Sequence, residues 1–245
     1  MALDLTGKTA VVTGGSKGIG LAIARDLAKA GATVVITARN EAEVKRAAQE
    51  LSTETGARVL GLRCDQREYA QVREMVAAAV RETGGLHVLV NNAGVGGFGP
   101  IDELDPEKWD QILETNLSGV FYCCHEAVPV MKKAGDGWII NIASLAGKNP
   151  FAGGTAYNAS KFGLVGFSEA LMLDVRQHGI RVNYIMPGSV NTYFNDKEPS
   201  PENDWMIQPE DIAQIVMDLL GYPARTLPSR VEVRPSRPGS PKRVD

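Results

Sequence analysis

Two periodicities alternate along this chain, and that alternation constrains its fold more than any other feature. Short apolar runs rich in β-branched residues, such as 8–13, 33–37 and 57–64, are separated by longer segments with apolar residues at helical spacing. Residues 19–30 put Ile19, Ala22, Ile23, Leu27 and Ala30 on one helical face, and Gly31 stands where a helix ends. Residues 41–54 repeat the pattern with Val44, Ala47, Ala48 and Leu51. The series continues as helix 68–83, strand 86–90, a long helix 106–133, strand 138–143, helix 156–178, strand 180–185, helix 209–220 and an alternating strand 230–234. Strand and helix in turn predict a parallel sheet covered on both faces. An open doubly wound sheet and a closed barrel both fit that description. A barrel needs about eight strand–helix pairs in about 250 residues. At most seven strands can be counted in these 245 residues.

Composition mainly excludes. A net charge of −3 offers no field for nucleic acid. No apolar run approaches the roughly 18 residues of a membrane helix. The first residues, Met1 to Lys8, show no basic segment leading into an apolar one, so no secretory signal is expected. Cys64, Cys123 and Cys124 do not read as a disulfide framework, which makes a reducing cytoplasm the expected location. No metal site is expected. Cys123, Cys124 and His125 are successive helical residues that point to different sides. The final segment, 235–245, mixes prolines with charges and reads as a loose tail rather than an RNA-binding arm.

The first strand–helix junction reads Thr13-Gly-Gly-Ser-Lys-Gly-Ile-Gly20. Glycines there allow a tight turn and let backbone N–H groups approach a pyrophosphate, and the helix N-terminus adds partial positive charge. The spacing is G-x-x-x-G-x-G, which belongs with the open sheet. The same letters satisfy G-x-S-x-G, the nucleophile elbow of serine hydrolases. That reading lacks a suitably placed acid and histidine: His87 lies in a strand, His125 in a helix and His178 at a helix end.

Further along stand Asn91-Asn-Ala-Gly94, Asn116, Ser144, Tyr157-Asn-Ala-Ser-Lys161 and Pro187-Gly188. Together with the glycine loop, these motifs, in this order, resemble the classical short-chain dehydrogenases/reductases over about residues 5–234. The resemblance implies a single-domain Rossmann fold (residues 1–234) with a doubly wound seven-stranded parallel sheet, usually a homotetramer, the alternative being a homodimer.

Tyr157 and Lys161, four apart on a helix, share one face. A phenol with a pKa near 10 is a poor acid–base group at neutral pH. An ammonium about 4 Å away, at an effective dielectric of about 20, contributes roughly 4 kcal/mol, which would bring Tyr157 toward neutrality. Ser144 ends a strand, where its hydroxyl can hold a carbonyl oxygen. Asn116 lies mid-helix, where asparagine is a mediocre helix former. The resemblance implies that Asn116 kinks the helix and links Lys161 to solvent through a water, and that Lys161 also binds the nicotinamide ribose. It likewise implies that Asn91 fixes the sheet, that Ala93 and Gly94 allow close cofactor approach, and that Pro187, Gly188, Val190 and Thr192 meet the nicotinamide or phosphates. Gly14, Ser16, Lys17, Gly18, Ile19 and Gly20 form the expected phosphate cradle, and the resemblance implies that Asp65 meets the adenine amino group.

NAD enzymes grip the ribose 2′-hydroxyl with an acid at the end of strand two. Here Thr37-Ala38-Arg39-Asn40 occupies that corner. Lys17 and Arg39 suit a 2′-phosphate, so NADP(H) is the expected cofactor.

The expected reaction is reversible reduction of a carbonyl to a secondary alcohol, on a 3-oxoacyl thioester, a small ketone or a hydroxy acid. The core is similar to 3-oxoacyl-carrier-protein reductases. The ending, Val231-Glu-Val-Arg-Pro235, is closer to dehydrogenases of small hydroxy acids and amino acids. A non-catalytic NADP-binding sensor is the alternative from another class. Residues 189–207 form the expected substrate loop, with Tyr193, Phe194 and Trp205 as its apolar candidates.

Overall fold

The computed structural model describes residues 3–237. Seven strands form one wholly parallel sheet in the order β3-β2-β1-β4-β5-β6-β7. They are β1 (Thr9–Thr13), β2 (Thr33–Ala38), β3 (Val59–Arg63), β4 (Val88–Asn91), β5 (Gly137–Ile142), β6 (Ile180–Pro187) and β7 (Arg230–Val233). The helices are α1 (Gly18–Lys29), α2 (Glu41–Thr55), α3 (Tyr69–Thr83), α4 (Pro106–Leu113), α5 (Gly119–Ala134), α6 (Thr155–Val175) and α7 (Pro209–Gly221). The single-domain doubly wound Rossmann fold is therefore what this chain adopts.

Side chains alternate across the strands and split the core in two. Ala10, Val12, Val34, Ile36, Val88 and Val90 face a layer built by α1, α2 and α7. Val11, Val35, Leu89 and Ile139 face α3, α5 and α6. Both faces are apolar, as a parallel sheet covered on both sides requires. The chain order reverses between β1 and β4, which pair directly with Val11 opposite Leu89. Such a switch point opens a crevice at the carboxyl ends of the strands, and the functional loops emerge there.

One expectation is corrected. The long helix 106–133 is not continuous: a π-helical turn, Glu114–Ser118, separates α4 from α5. Within it, Asn116 exchanges side-chain hydrogen bonds with both the N–H and the carbonyl of Val95, at 2.9 and 3.0 Å. That attachment to a neighbouring loop supplies a physical reason for the widened turn. Pro235, the first residue of the expected tail, has its Cδ 3.4 Å from where a Cβ on Gly188 would sit. The remainder of that expected tail, residues 238–245, lies outside the described residues.

At the opposite end of the sheet, the Thr9 N–H donates to His87 Nδ1 at 3.0 Å. Only neutral imidazole can accept there. Burial holds His87 below its ordinary 6.5; the Lys8 charge adds to the effect and Asp136 opposes it. A base with a lowered folded pKa contributes stability that is complete above 6.5 and is lost as pH falls through the folded value. The melting temperature should fall on acidification below 6.5, by the equivalent of about 1 kcal/mol for this bond. His87→Asn keeps an acceptor without a titration and should remove that acid-dependent part. An unchanged acid profile in His87→Asn would contradict the assignment.

Candidate active site

The glycine loop is built by close packing. Gly14 and Gly18 adopt left-handed φ values of 64° and 57°, which glycine tolerates at little cost. A Cβ at Gly14 would come within 2.9 Å of Ala93 Cα, and one at Gly20 within 2.3 Å of the Gly14 carbonyl oxygen. Gly20 therefore serves contact between α1 and the loop and does not itself line the crevice. α1 starts without a side-chain cap and without acidic residues in its first turn. Its leading N–H groups are left for an anion.

Asn92, adjacent to the expected Asn91, closes this loop from β4. Its Nδ2 donates to the Thr13 and Gly14 carbonyls at 3.0 and 3.1 Å. Asn91 is buried away from the crevice and donates to Asn141 Oδ1 at 2.8 Å. Asn141 in turn donates to Ser168 Oγ at 2.8 Å, tying β4, β5 and α6 together.

One cavity of about 1000 Å³ runs across the carboxyl ends of the strands. It brings together Gly14, Ser16, Lys17, Gly18, Ile19, Arg39 and Asp65 with Ala93, Gly94, Ser144, Tyr157 and Lys161, and with Pro187, Gly188, Val190 and Thr192. Gly20, Asn91 and Asn116 are the expected residues it leaves behind the lining. Among the described residues no histidine lines it, so Ser16 lacks the histidine that a nucleophile elbow requires and the hydrolase reading fails. Nor do three His, Cys, Asp or Glu side chains gather as a metal site among the described residues.

One end is cationic. Lys17 and Arg39 enter no ion pair among the described residues. Lys17 instead lies over the Tyr193 ring, 5.4 Å from its centroid. Sequence reasoning missed Glu43, which accepts the Ser16 hydroxyl at 2.5 Å. Its place in the first turn of α2, its N–H capped by Asn40, made it look like ordinary helix-start chemistry. Asp65 is gripped by Arg67, whose Nη2 approaches Oδ2 to 2.6 Å. That hydrogen bond, followed by the Arg67 charge, holds the carboxyl below its ordinary value against the pull of burial.

Ser144, Tyr157 and Lys161 meet at the other end. The Ser144 Oγ accepts from the Ala146 N–H at 3.1 Å, so Ser144 caps the turn that follows β5. The Ser144 hydroxyl beside Tyr157 pulls the phenol pKa downward. The expectation of a Tyr157 phenol brought near neutrality is corrected. Burial pushes it above its ordinary 10, and the Ser144 hydroxyl offsets only part of that. Lys161, itself buried, donates to the Ile142 carbonyl at 2.9 Å, and its ammonium lies 5.8 Å from the Tyr157 ring centroid. Burial brings Lys161 down to about 8. Tyr157 is thus a neutral phenol beside a hydroxyl, with a buried amine near its ring that loses its proton readily. Asn116 donates to Ser160 Oγ at 3.0 Å as well as clamping Val95. It positions the loop after β4 beside Lys161.

The segment after β6 crosses above. Val190 bridges to Ile207, and Thr192 faces Gly18, 3.6 Å from where a Cβ there would stand. Tyr193 and Phe194 line the cavity and Trp205 does not. Phe98 and Phe151, which sequence reasoning did not single out, join Phe194 around Tyr157.

Known proteins resemble both the sequence and this arrangement. The family model described as short chain dehydrogenase matches residues 8–203. The chain is 39% identical over 222 residues to D-beta-hydroxybutyrate dehydrogenase of Rhizobium meliloti, covering 89% of this chain and 85% of that protein. It is 38% identical over 203 residues to the 3-oxoacyl-acyl-carrier-protein reductase FabG of Chlamydia muridarum, 82% of each. A solved metagenomic short-chain oxidoreductase in complex with NADP superposes with a TM-score of 0.84 at 39% identity, covering 95% of this chain and 99% of that one.

Proposed function

We propose that this chain, which belongs to the short-chain dehydrogenase family, is an NADP(H)-dependent oxidoreductase that reversibly reduces a carbonyl to a secondary alcohol. The observation that carries the reading is the division of one cavity. Ser144, Tyr157 and Lys161 stand at one end, and Lys17 and Arg39 at the other. The residues fit the cofactor: the uncapped start of α1 suits a pyrophosphate, and two cations outside any described ion pair suit a 2′-phosphate. Bound there, the nicotinamide supplies or takes up the hydride.

The chain's own residues handle the oxygen. Ser144 donates to the carbonyl oxygen and stabilises the charge that develops on it. Tyr157 gives that oxygen its proton. Lys161 returns a proton toward Tyr157, and Asn116 holds the loop that flanks this route. Gly94 lines the cavity and, without a side chain, lets the ring of the cofactor come close. Asp65 accepts from the adenine amino group with a lone pair left over by Arg67. Substrate enters below residues 189–207. The setting proposed is the cytoplasm, which the cysteine usage suggests, and the assembly a homotetramer, as the family resemblance implies. The second reading, oxidation of a small 3-hydroxy acid, draws on the similarity to the Rhizobium meliloti dehydrogenase.

Lys161 makes the reaction pH-dependent with a defined sign. Its charged form exists below about 8. The kcat/KM for reduction should be level below that pH and fall about tenfold per unit above it. A profile level up to 10.5, the ordinary lysine value, would contradict the relay.

The direct test of the reading is an NADPH-oxidation screen over 3-oxoacyl thioesters, small ketones and semialdehydes, run in reverse on 3-hydroxy acids. Turnover of at least one carbonyl is expected. Tight NADPH binding with no turnover on any of them would replace this reading with that of a cofactor-binding sensor.

A further inference from the structure

Three phenyl rings from three separate loops converge at the mouth of the cavity. Phe98 follows β4, Phe151 follows β5 and Phe194 follows β6. Phe98 stands edge-on to Tyr157, with centroids 5.6 Å apart and planes at 80°. Phe194 lies 5.5 Å from Tyr157. Phe151 lies 5.6 Å from Phe98. The rings remain 46%, 47% and 36% exposed for Phe98, Phe151 and Phe194. Rings of this size are normally buried, so an exposed group of three marks a surface built to be covered.

The backbone fixes the arrangement. Gly99 N–H donates to the Gly153 carbonyl at 2.9 Å, joining the Phe98 loop to the Phe151 loop. Phe194 packs against Gly96, where a Cβ would come within 2.8 Å of its Cζ. The wall is thus held from both sides, with the Tyr157 ring among its members.

Resting on the oxidoreductase reading above, we infer that the substrate is a ketone whose carbonyl carries an aryl group, and in reverse the corresponding secondary aryl carbinol. The aryl ring takes the place of water against Phe98, Phe151 and Phe194, and edge-to-face contacts orient it. The carbonyl then points at Ser144 and Tyr157. In reduction the C=O π bond opens. A hydride from NADPH forms the new C–H bond, the Tyr157 proton forms the O–H bond, NADPH is oxidised and the ketone is reduced.

The test compares acetophenone, 2-pentanone and acetoacetate as substrates with NADPH. Acetophenone should have the highest kcat/KM, by about tenfold over either other compound, equivalent to about 1.4 kcal/mol. Phe98→Ala and Phe194→Ala should each reduce the acetophenone to 2-pentanone ratio about fivefold to tenfold, and Phe98→Tyr should restore it. Binding of 1-phenylethanol to the NADP⁺-loaded protein by calorimetry should weaken in parallel in the alanine variants. Preference for acetoacetate, or a ratio indifferent to Phe98→Ala, would overturn the inference and leave the oxidoreductase reading standing. No NADPH consumption with any of the three or with acetoacetyl thioester would remove both.

Discussion

Tyr157→Phe should lower kcat for carbonyl reduction about a thousandfold or more while NADPH affinity stays within about twofold of wild type. The substitution removes one oxygen and keeps a ring of the same shape. The contacts of Tyr157 with Phe98 and Phe194 are ring contacts and survive. Ser144 still receives the Ala146 N–H, so the substrate oxygen still finds a donor. What disappears is the proton. Burial keeps the Tyr157 phenol above its ordinary value, so the group is protonated at neutral pH and needs no activation to donate in the reductive direction. Single-turnover kinetics with saturating NADPH, beside a fluorescence titration of the cofactor, separate the two effects. Turnover within tenfold of wild type would remove Tyr157 from the chemistry.

The second large effect is on cofactor choice. Lys17→Ala combined with Arg39→Ala should raise KM for NADPH about a hundredfold and leave KM for NADH nearly unchanged. Each charge-assisted hydrogen bond to a phosphate contributes about 1.5–3 kcal/mol, and two such losses comfortably exceed a factor of one hundred if no water replaces them. Exposure reduces the gain, so the lower end applies. Glu43 acts the other way. Its carboxylate holds the Ser16 hydroxyl at 2.5 Å and places negative charge beside the proposed phosphate site. The cations must therefore outweigh it for NADPH to be preferred. Equal effects of the double variant on the two cofactors would sink the assignment.

Much of this was legible in the residues themselves. The period-two and helical runs located all seven strands, because a sheet buried on both faces demands continuous apolar strands. The glycine loop and the Tyr157–Lys161 spacing are local in sequence, and so is their geometry. The π-helical turn was not legible. Widening over Glu114–Ser118 shifts the apolar pattern by a fraction of a turn, and only Asn116, a poor helix former, hinted at it. The Tyr157 titration came out with the opposite sign. Spacing says that Tyr157 and Lys161 share a face, but not that the ammonium bonds the Ile142 carbonyl or that the phenol is desolvated. Phe98 and Phe151 escaped notice because no periodicity marks a side chain on an irregular loop. Their meaning appears only once three loops meet.

The central claim, hydride transfer to a carbonyl with Tyr157 as proton donor, is tested most directly by following the label from NADPH deuterated at the transferring position. The wild-type protein, incubated with this cofactor and a reducible ketone, should yield an alcohol with one deuterium on the carbinol carbon, and Tyr157→Phe should yield almost none. An alcohol without deuterium at that carbon, or labelled product formed equally well by Tyr157→Phe, would contradict the account.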